Sequence, residues 1–227
     1  MPGEARSGFE RTLAVLLGFD KTAEALRSFR SLGGLSVLLP EALLGIPPAA
    51  FASSVGRAGN ARLKLPRVRG FLDFAAARAE QGDELFAPES PFYAPDAEPE
   101  ALWALFDFEE LRSGLARIRG ISLESADLAL LFAFNYPVFP VGAQAWRFLR
   151  RHGFIAEDAD YREMQEIIQG ALDMEPGGFK DETINAAGHY KESWLLLRQL
   201  CTDFCTASKF LCSSCPLGAY MEYQPCE

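Results

Sequence analysis

Five cysteines carry the clearest chemical signal in this chain of 227 residues. All of them lie near the end of the sequence: Cys201, Cys205, Cys212, Cys215 and Cys226. Thiolates bind zinc and iron–sulfur clusters, whereas an odd number of cysteines crowded into one segment does not suit a disulfide framework in a reducing compartment. The crowding of the five cysteines in this segment therefore favours metal ligation over a disulfide framework.

A second stretch, residues 115–154, has residue types suited to binding a phosphate group. It reads as a helix end, a tight turn at Gly120, a second helix, a proline-bracketed loop and a third, basic helix. Gly120 is free of side-chain restriction, and Ser122 can cap the second helix while its first N–H groups point outward. Arg117 and Arg119 add positive charge beside the turn. An ordinary helix connection would also explain the glycine.

The elements around these motifs read as helices almost throughout. After Pro66, for example, Val68, Phe71, Leu72 and Ala75 follow the spacing of a buried helical stripe, and the proline is expected in the first turn. No run of alternating apolar and polar residues is long enough to predict a sheet. We therefore predict an all-α protein.

Charge alternates along the chain, although the net charge of −9 is unfavourable for binding nucleic acid. Residues 57–78 contain six basic residues and one acid, residues 80–110 contain ten acids and no base, and residues 111–154 contain six arginines and two acids. Each run alone is typical of a solvated helix face. Together the three runs predict a basic face on an acidic body.

Membrane and secretory proteins are excluded by the distribution of apolar residues. No run of about 18 apolar residues exists, so no transmembrane helix is predicted. Charged residues interrupt the N-terminal segment before any apolar region forms, which argues against a secretory signal. We expect a cytoplasmic protein that does not bind a membrane.

The sequence GISLESAD (120–127), followed by LALLFAFNYPVFPVGAQAWRFLRRHGF (128–154), resembles a known family. It is similar to the hairpin, second helix and active-site loop of the endonuclease III branch of the helix-hairpin-helix (HhH-GPD) DNA glycosylases. The nearest subgroup is that of the monofunctional bacterial 3-methyladenine DNA glycosylases, in which the hairpin reads much like GIGxESAD. Weaker likeness in the basic segment from Arg57 and in the cysteine tail extends the resemblance to about three-quarters of the chain.

The resemblance implies a two-lobed, all-α glycosylase fold with a C-terminal iron–sulfur loop. Residues 20–140 would form a helical barrel with the helix-hairpin-helix, and residues 1–19 plus 141–227 a second helical lobe with the cysteine cluster. The partner would be double-stranded DNA, bound by a monomer. The residues that would contact DNA are Arg117, Arg119, Gly120, Ile121 and Ser122.

Two positions depart from the family pattern where the chemistry takes place. Family enzymes extrude a damaged base and break its glycosidic bond, and an anionic Asp stabilises the cationic transition state. Here that position is Gly142. The Lys of bifunctional members is replaced by Glu124, so no lyase step is expected. Glu124 and Asp127 share one helix face near its N-terminus, and we interpret both as partners of the helix dipole rather than as substitute carboxylates.

The cysteine tail resembles the family's [4Fe-4S] loop, because the C-x6-C-x2-C spacing of Cys205, Cys212 and Cys215 matches the first three ligands of that loop. The fourth family ligand falls at Met221. Cys226 is the preferred replacement because it follows the third ligand in the chain, and Cys201 is the other possibility. Zinc is the alternative metal, and free thiols that bind no metal are the third alternative.

The resemblance implies a base-excision repair protein whose glycosylase activity is weak or lost. If active, it would be a monofunctional N-glycosylase without lyase activity. The alternative is a non-catalytic paralogue on the same scaffold that binds DNA or, through its acidic surface, another protein.

Overall fold

A computed structural model describes residues 5–19, 22–33, 38–173 and 186–221. The α-helices of these residues are α1 (Gly8–Leu17), α2 (Thr22–Gly33), α3 (Pro40–Leu44), α4 (Pro48–Gly56), α5 (Ala61–Glu80), α6 (Phe108–Ala116), α7 (Leu123–Ala133), α8 (Ala143–Arg151), α9 (Tyr161–Asp173) and α10 (Ala186–Asp203). Four short 3-10 helices lie at Pro91–Tyr93, Pro99–Leu105, Cys212–Ser214 and Gly218–Tyr220. The described part of the chain contains no strand beyond an isolated bridge between Cys205 and Phe210. The predicted all-α class is therefore confirmed.

The chain divides into two compact units, residues 1–136 and residues 137–227. The first unit has its core around α1 and α7, which pack against each other. Phe9 of α1 is fully buried, stacks on Phe71 of α5 at 5.7 Å between ring centroids, and meets the edge of Phe92 at 5.9 Å. Burial of such large aromatic side chains is the main force that stabilises this unit.

The first helix belongs to the first unit, whereas the predicted division placed residues 1–19 in the second lobe. The physical reason is the apolar surface of α1, of which Leu13, Leu16 and Leu17 are all at most 1% exposed. The helix covers α5 and α7 with this surface. The boundary between the units lies at residue 136, four residues before the predicted boundary.

In the second unit, α8 and α10 pack together and hold the segment that carries the cysteines. Phe139 is buried and lies near Tyr190 of α10, with 6.1 Å between ring centroids. The amide of Gln165 on α9 donates to the carbonyl of Phe139 at 2.7 Å. No helix of the described residues combines the length and apolar character needed to cross a membrane.

Pro66 lies inside α5 rather than in its first turn, because the helix already begins at Ala61. A proline at this position removes the hydrogen bond to the carbonyl of Arg62. Both Pro66 and Arg62 are exposed, so that carbonyl can be solvated, and the helix continues for four more turns.

Candidate functional site

The predicted hairpin joins α6 to α7. Gly120 lies in the left-handed region with φ +88°, and the amide of Ile121 donates to the carbonyl of Ile118 at 3.0 Å, which closes the turn. Ile121 is 5% exposed and anchors the turn in the core of the first unit, while Gly120 itself is exposed. A residue with a side chain would be strained at Gly120. The hairpin therefore exposes the backbone of Gly120 at the surface, while the buried side chain of Ile121 anchors the turn.

The second helix of the hairpin begins as the sequence predicts. Ser122 is the N-cap of α7, and its hydroxyl accepts from the amide of Ser125 at 3.2 Å. The first-turn amides of Leu123 and Glu124 have no acceptor within the helix. Such amides, at the positive end of the helix dipole, favour an anion such as phosphate.

Arg117 and Arg119 flank the turn, and both are exposed. Neither has an ion pair or a side-chain hydrogen bond with any residue that the structure describes. Their charge is therefore available to a ligand at the hairpin. This arrangement brings together all five residues predicted to contact DNA.

Most of the other basic residues in the two predicted basic runs have partners within the protein. Arg57 pairs with Glu24 at 2.9 Å, and Arg69 with Asp73 at 3.6 Å. Arg78 contacts both Asp83 and Glu110, and Lys64 is buried and donates to the carbonyl of Ala58 at 2.7 Å. The basic face is therefore smaller than the runs suggest and is concentrated at the hairpin.

Asp127 forms a buried ion pair, which corrects its interpretation as a partner of the helix dipole. Two nitrogens of Arg112 on α6 donate to its two carboxylate oxygens, each at 2.7 Å. The side chain of Asp127 is 0% exposed and that of Arg112 is 6% exposed. With both oxygens occupied, Asp127 cannot serve as a substitute catalytic carboxylate.

Glu124 differs from Asp127 because it has no hydrogen bond or ion pair with any described residue. Its side chain is half-buried on the first turn of α7, and burial raises the pKa of this carboxyl. Unpaired, half-buried carboxyls of this kind are common at functional sites.

Gly142 is the N-cap of α8, in an extended conformation with φ −102° and ψ −178°. It provides no side-chain cap, and the helix begins without a carboxylate. Its backbone angles are accessible to any residue, so nothing in the backbone requires glycine here. Asp is among the most favoured N-cap residues.

The cysteines lie in the second unit, and two arginines of α8 hold the first of the predicted ligands. Arg151 donates to the Sγ of Cys205 at 3.1 Å and to the carbonyl of Thr206 at 2.8 Å. Arg147 donates to the carbonyl of Cys205 at 2.9 Å. Cys205 is buried, and its sulfur lies beside the positive charge of Arg151.

Three predicted ligands, Cys205, Cys212 and Cys215, line one small cavity together with Met221. The cavity volume is about 20 Å³, enough for one water molecule but not for a metal cluster. Among the residues that the structure describes, no group of three Cys, His, Asp or Glu side chains is arranged to hold a metal ion. Cys205 and Cys215 are free thiols, whereas Cys212 is disulfide-bonded. The three cysteines converge, but in this conformation the loop does not fit a cluster.

The two candidates for the fourth ligand are Cys226 and Cys201. Cys226 lies outside the described residues. Cys201 is fully buried on α10 and donates to the carbonyl of Gln144 at 3.6 Å. Burial, helped by the nearby Cys205, raises the pKa of the Cys201 thiol to about 11.

Comparison with solved structures shows the same architecture. The chain matches the structure of endonuclease III in a non-covalent complex with DNA, with a TM-score of 0.60 and 15% sequence identity. The match covers 95% of this chain and 83% of the endonuclease III chain. The chain has the helix-hairpin-helix DNA glycosylase fold. Endonuclease III trapped with DNA as a covalent intermediate also has this glycosylase fold, with a TM-score of 0.58 and 16% identity over 93% of this chain and 82% of that one.

A curated glycosylase is also similar in sequence. The chain is 37% identical over 110 residues to a candidate DNA repair glycosylase of Methanocaldococcus jannaschii. The match covers 48% of this chain and 44% of the relative, so the chain matches less than half of that protein's length. No protein-family model matches the chain. The predicted resemblance to the helix-hairpin-helix DNA glycosylases is confirmed, and the subgroup remains a prediction.

Two features of the structure were not predicted from the sequence. The Arg112–Asp127 pair joins residues 15 positions apart on different helices, and only the hairpin brings them together. Arg67 was recognised as one member of a basic run, but its buried and unpaired Nε had no signal in the sequence.

Proposed function

We propose that this chain is an endonuclease III-like protein of base-excision repair that binds duplex DNA through its hairpin and has weak or no glycosylase activity. The observation that supports DNA binding is the exposed turn at Gly120, flanked by the unpaired Arg117 and Arg119. A phosphate would accept from the first amides of α7 and neutralise the two guanidinium groups.

The reduced activity follows from Gly142. An oxocarbenium-like transition state carries positive charge on the sugar, and a carboxylate nearby stabilises it. Glycine provides no charge, and the loss of one such electrostatic contact typically slows a reaction by about a hundredfold or more. Asp127 cannot replace the missing carboxylate because Arg112 holds both of its oxygens.

Any activity that remains would be that of a monofunctional N-glycosylase. Formation of a Schiff base needs an amine, and Glu124 occupies the position that provides it in bifunctional members of the family. Strand cleavage by a lyase step is therefore not part of the proposed function.

The second candidate function is a non-catalytic paralogue that uses the same scaffold to bind DNA or another protein. The acidic segment 80–110 supports the version in which a protein is bound, because it contains ten acids and no base. Its helices and turns lie in the first unit, which also contains the hairpin.

We also propose that Cys205, Cys212, Cys215 and Cys226 hold a [4Fe-4S] cluster, with Cys201 as the alternative fourth ligand and zinc as the alternative metal. The proposal is supported by three cysteines that line one cavity and by the two arginines around Cys205. Cys212 is disulfide-bonded in this structure, so cluster binding requires that this disulfide be reduced. Because the cavity is too small as it stands, binding requires the loop to open. Visible absorption of anaerobically purified protein, with iron, sulfide and zinc contents, tests this. Protein without iron or sulfide would rule the cluster out.

A monomeric state and a cytoplasmic location remain predictions.

Binding of a fluorescent duplex at increasing salt concentration, together with base release from alkylated and oxidised duplexes, tests the function. We expect binding that weakens with salt and base release that is slow or absent. A chain that does not bind duplex DNA at low salt would contradict the proposal, and rapid base release would contradict the reduced activity.

A further inference from the structure

Arg67 on α5 has an unusual environment for an arginine. Its Nε is buried and has no hydrogen-bond partner. The rest of the guanidinium has no hydrogen bond or ion pair with any described residue. The side chain is half-buried, and burial lowers the pKa of Arg67. A buried N–H without an acceptor is unfavourable, and native structures rarely retain one without a reason.

Other basic residues of the same helix are satisfied by the protein. Lys64 donates to a backbone carbonyl, Arg69 pairs with Asp73, and Arg78 contacts two acids. These three side chains therefore have acceptors within the protein, whereas Arg67 has none among the described residues. Of these four basic residues of α5, only Arg67 lacks an acceptor among the described residues.

That position is directly beside the hairpin. A Cβ placed on Gly120 would lie 3.5 Å from the Cβ of Arg67 and 4.0 Å from its backbone nitrogen. One turn further along α5, a Cβ on Gly70 would lie 2.6 Å from Ile118, so Gly70 permits the close approach of α5 to the hairpin. Arg67 therefore lies against the turn that exposes Gly120.

We propose that the Arg67 guanidinium and the exposed turn at Gly120 form one binding site for a phosphodiester of the DNA backbone. Of the three guanidinium nitrogens, Nε is the buried one. The two terminal nitrogens, which also have no acceptor among the described residues, can donate two parallel hydrogen bonds to a phosphate. The inference rests on the proposed DNA binding and adds a contact from α5 to those of the hairpin.

The test compares Arg67→Met with the matched control Arg69→Met, two residues along the same helix. Fluorescence anisotropy of a labelled duplex is measured over a series of NaCl concentrations. We expect Arg67→Met to weaken binding about tenfold, the size of one charge-assisted contact, and to reduce the slope of log K against log salt by about 0.9. Arg69→Met removes an arginine that is already paired with Asp73, so its slope should be nearly unchanged.

Thermal unfolding separates this role from a structural one. Arg67→Met removes a buried N–H without a partner, so the variant should be at least as stable as the wild type while it binds DNA less tightly. If the wild type does not bind the duplex, the proposed function itself fails. If the wild type binds and Arg67→Met keeps the same affinity and slope, DNA binding stands and this inference is overturned. Should Arg67→Met not fold, Arg67→Lys decides, because it keeps the charge but not the fork, and unchanged affinity would overturn the inference.

Discussion

Arg112 and Asp127 form a bidentate ion pair inside the first unit, with both nitrogen–oxygen distances at 2.7 Å. The pair joins α6 to α7, the two helices of the hairpin, and it is almost completely removed from solvent. It therefore fixes the angle at which the hairpin leaves the core. Each buried charge is compensated by the other.

Replacing Asp127 alone should strongly destabilise the protein. Asp127→Asn leaves the buried charge of Arg112 without its counter-ion, and we expect a loss of about 3–5 kcal/mol in the free energy of unfolding. Urea denaturation measures this. The exposed pair of Arg150 and Glu157 provides the control, because Glu157→Gln should cost at most about 1 kcal/mol.

The double variant Arg112→Met/Asp127→Leu should be closer in stability to the wild type than Asp127→Asn is, since it removes both charges together. A double variant that is less stable than the single variant would show that the pair contributes net stability. Equal stability of Asp127→Asn and the wild type would contradict the buried pair.

Arg117 and Arg119 should carry much of the salt dependence of duplex binding. Each is exposed and unpaired within the described residues, so Arg117→Ala and Arg119→Ala should each reduce the slope of log K against log salt by up to about 0.9. Arg57→Ala is the control because Arg57 pairs with Glu24. Unchanged slopes in both hairpin variants would place the DNA elsewhere.

Glu124 should make stability depend on pH in a defined direction. Burial raises its pKa in the folded protein above the unfolded value, so its neutral form is favoured by folding. That contribution is fully present below the unfolded pKa and is lost as the pH rises through the folded pKa. Glu124→Gln should therefore match the wild type in stability at acidic pH and exceed it at neutral pH.

Urea denaturation of the two proteins at about pH 4 and pH 7 measures this difference. Glu124→Asp is a useful comparison because it keeps an ionisable group at the same position. A wild type that is more stable than Glu124→Gln at neutral pH would show that the charged form has a partner.

The sequence predicted the hairpin well because its features are local. The turn at Gly120 needs a residue that tolerates positive φ, and the start of α7 needs a short polar side chain at Ser122. Asp107 caps α6 in the same local way, because its side chain accepts from the amide of Glu110 at 2.8 Å.

Features that depend on contacts between distant residues could not be predicted. The sequence shows which residues are basic but not which acceptors they contact. It therefore did not distinguish Lys64 and Arg69, which have partners, from Arg67, whose Nε has none. The buried pair of Asp127 depends on the packing of α6 against α7. The assignment of residues 1–19 to the other lobe failed to anticipate how much apolar surface of α1 is covered by the first unit.

We infer that the chain keeps a DNA-binding scaffold but lacks the carboxylate needed for base excision. Single-turnover release of a damaged base by the wild type and by Gly142→Asp tests it most directly. The backbone angles at Gly142 accommodate Asp, which would also cap α8. We predict that Gly142→Asp releases the base about a hundredfold or more faster than the wild type at equal duplex occupancy. A wild type that releases the base as fast as Gly142→Asp would contradict the claim.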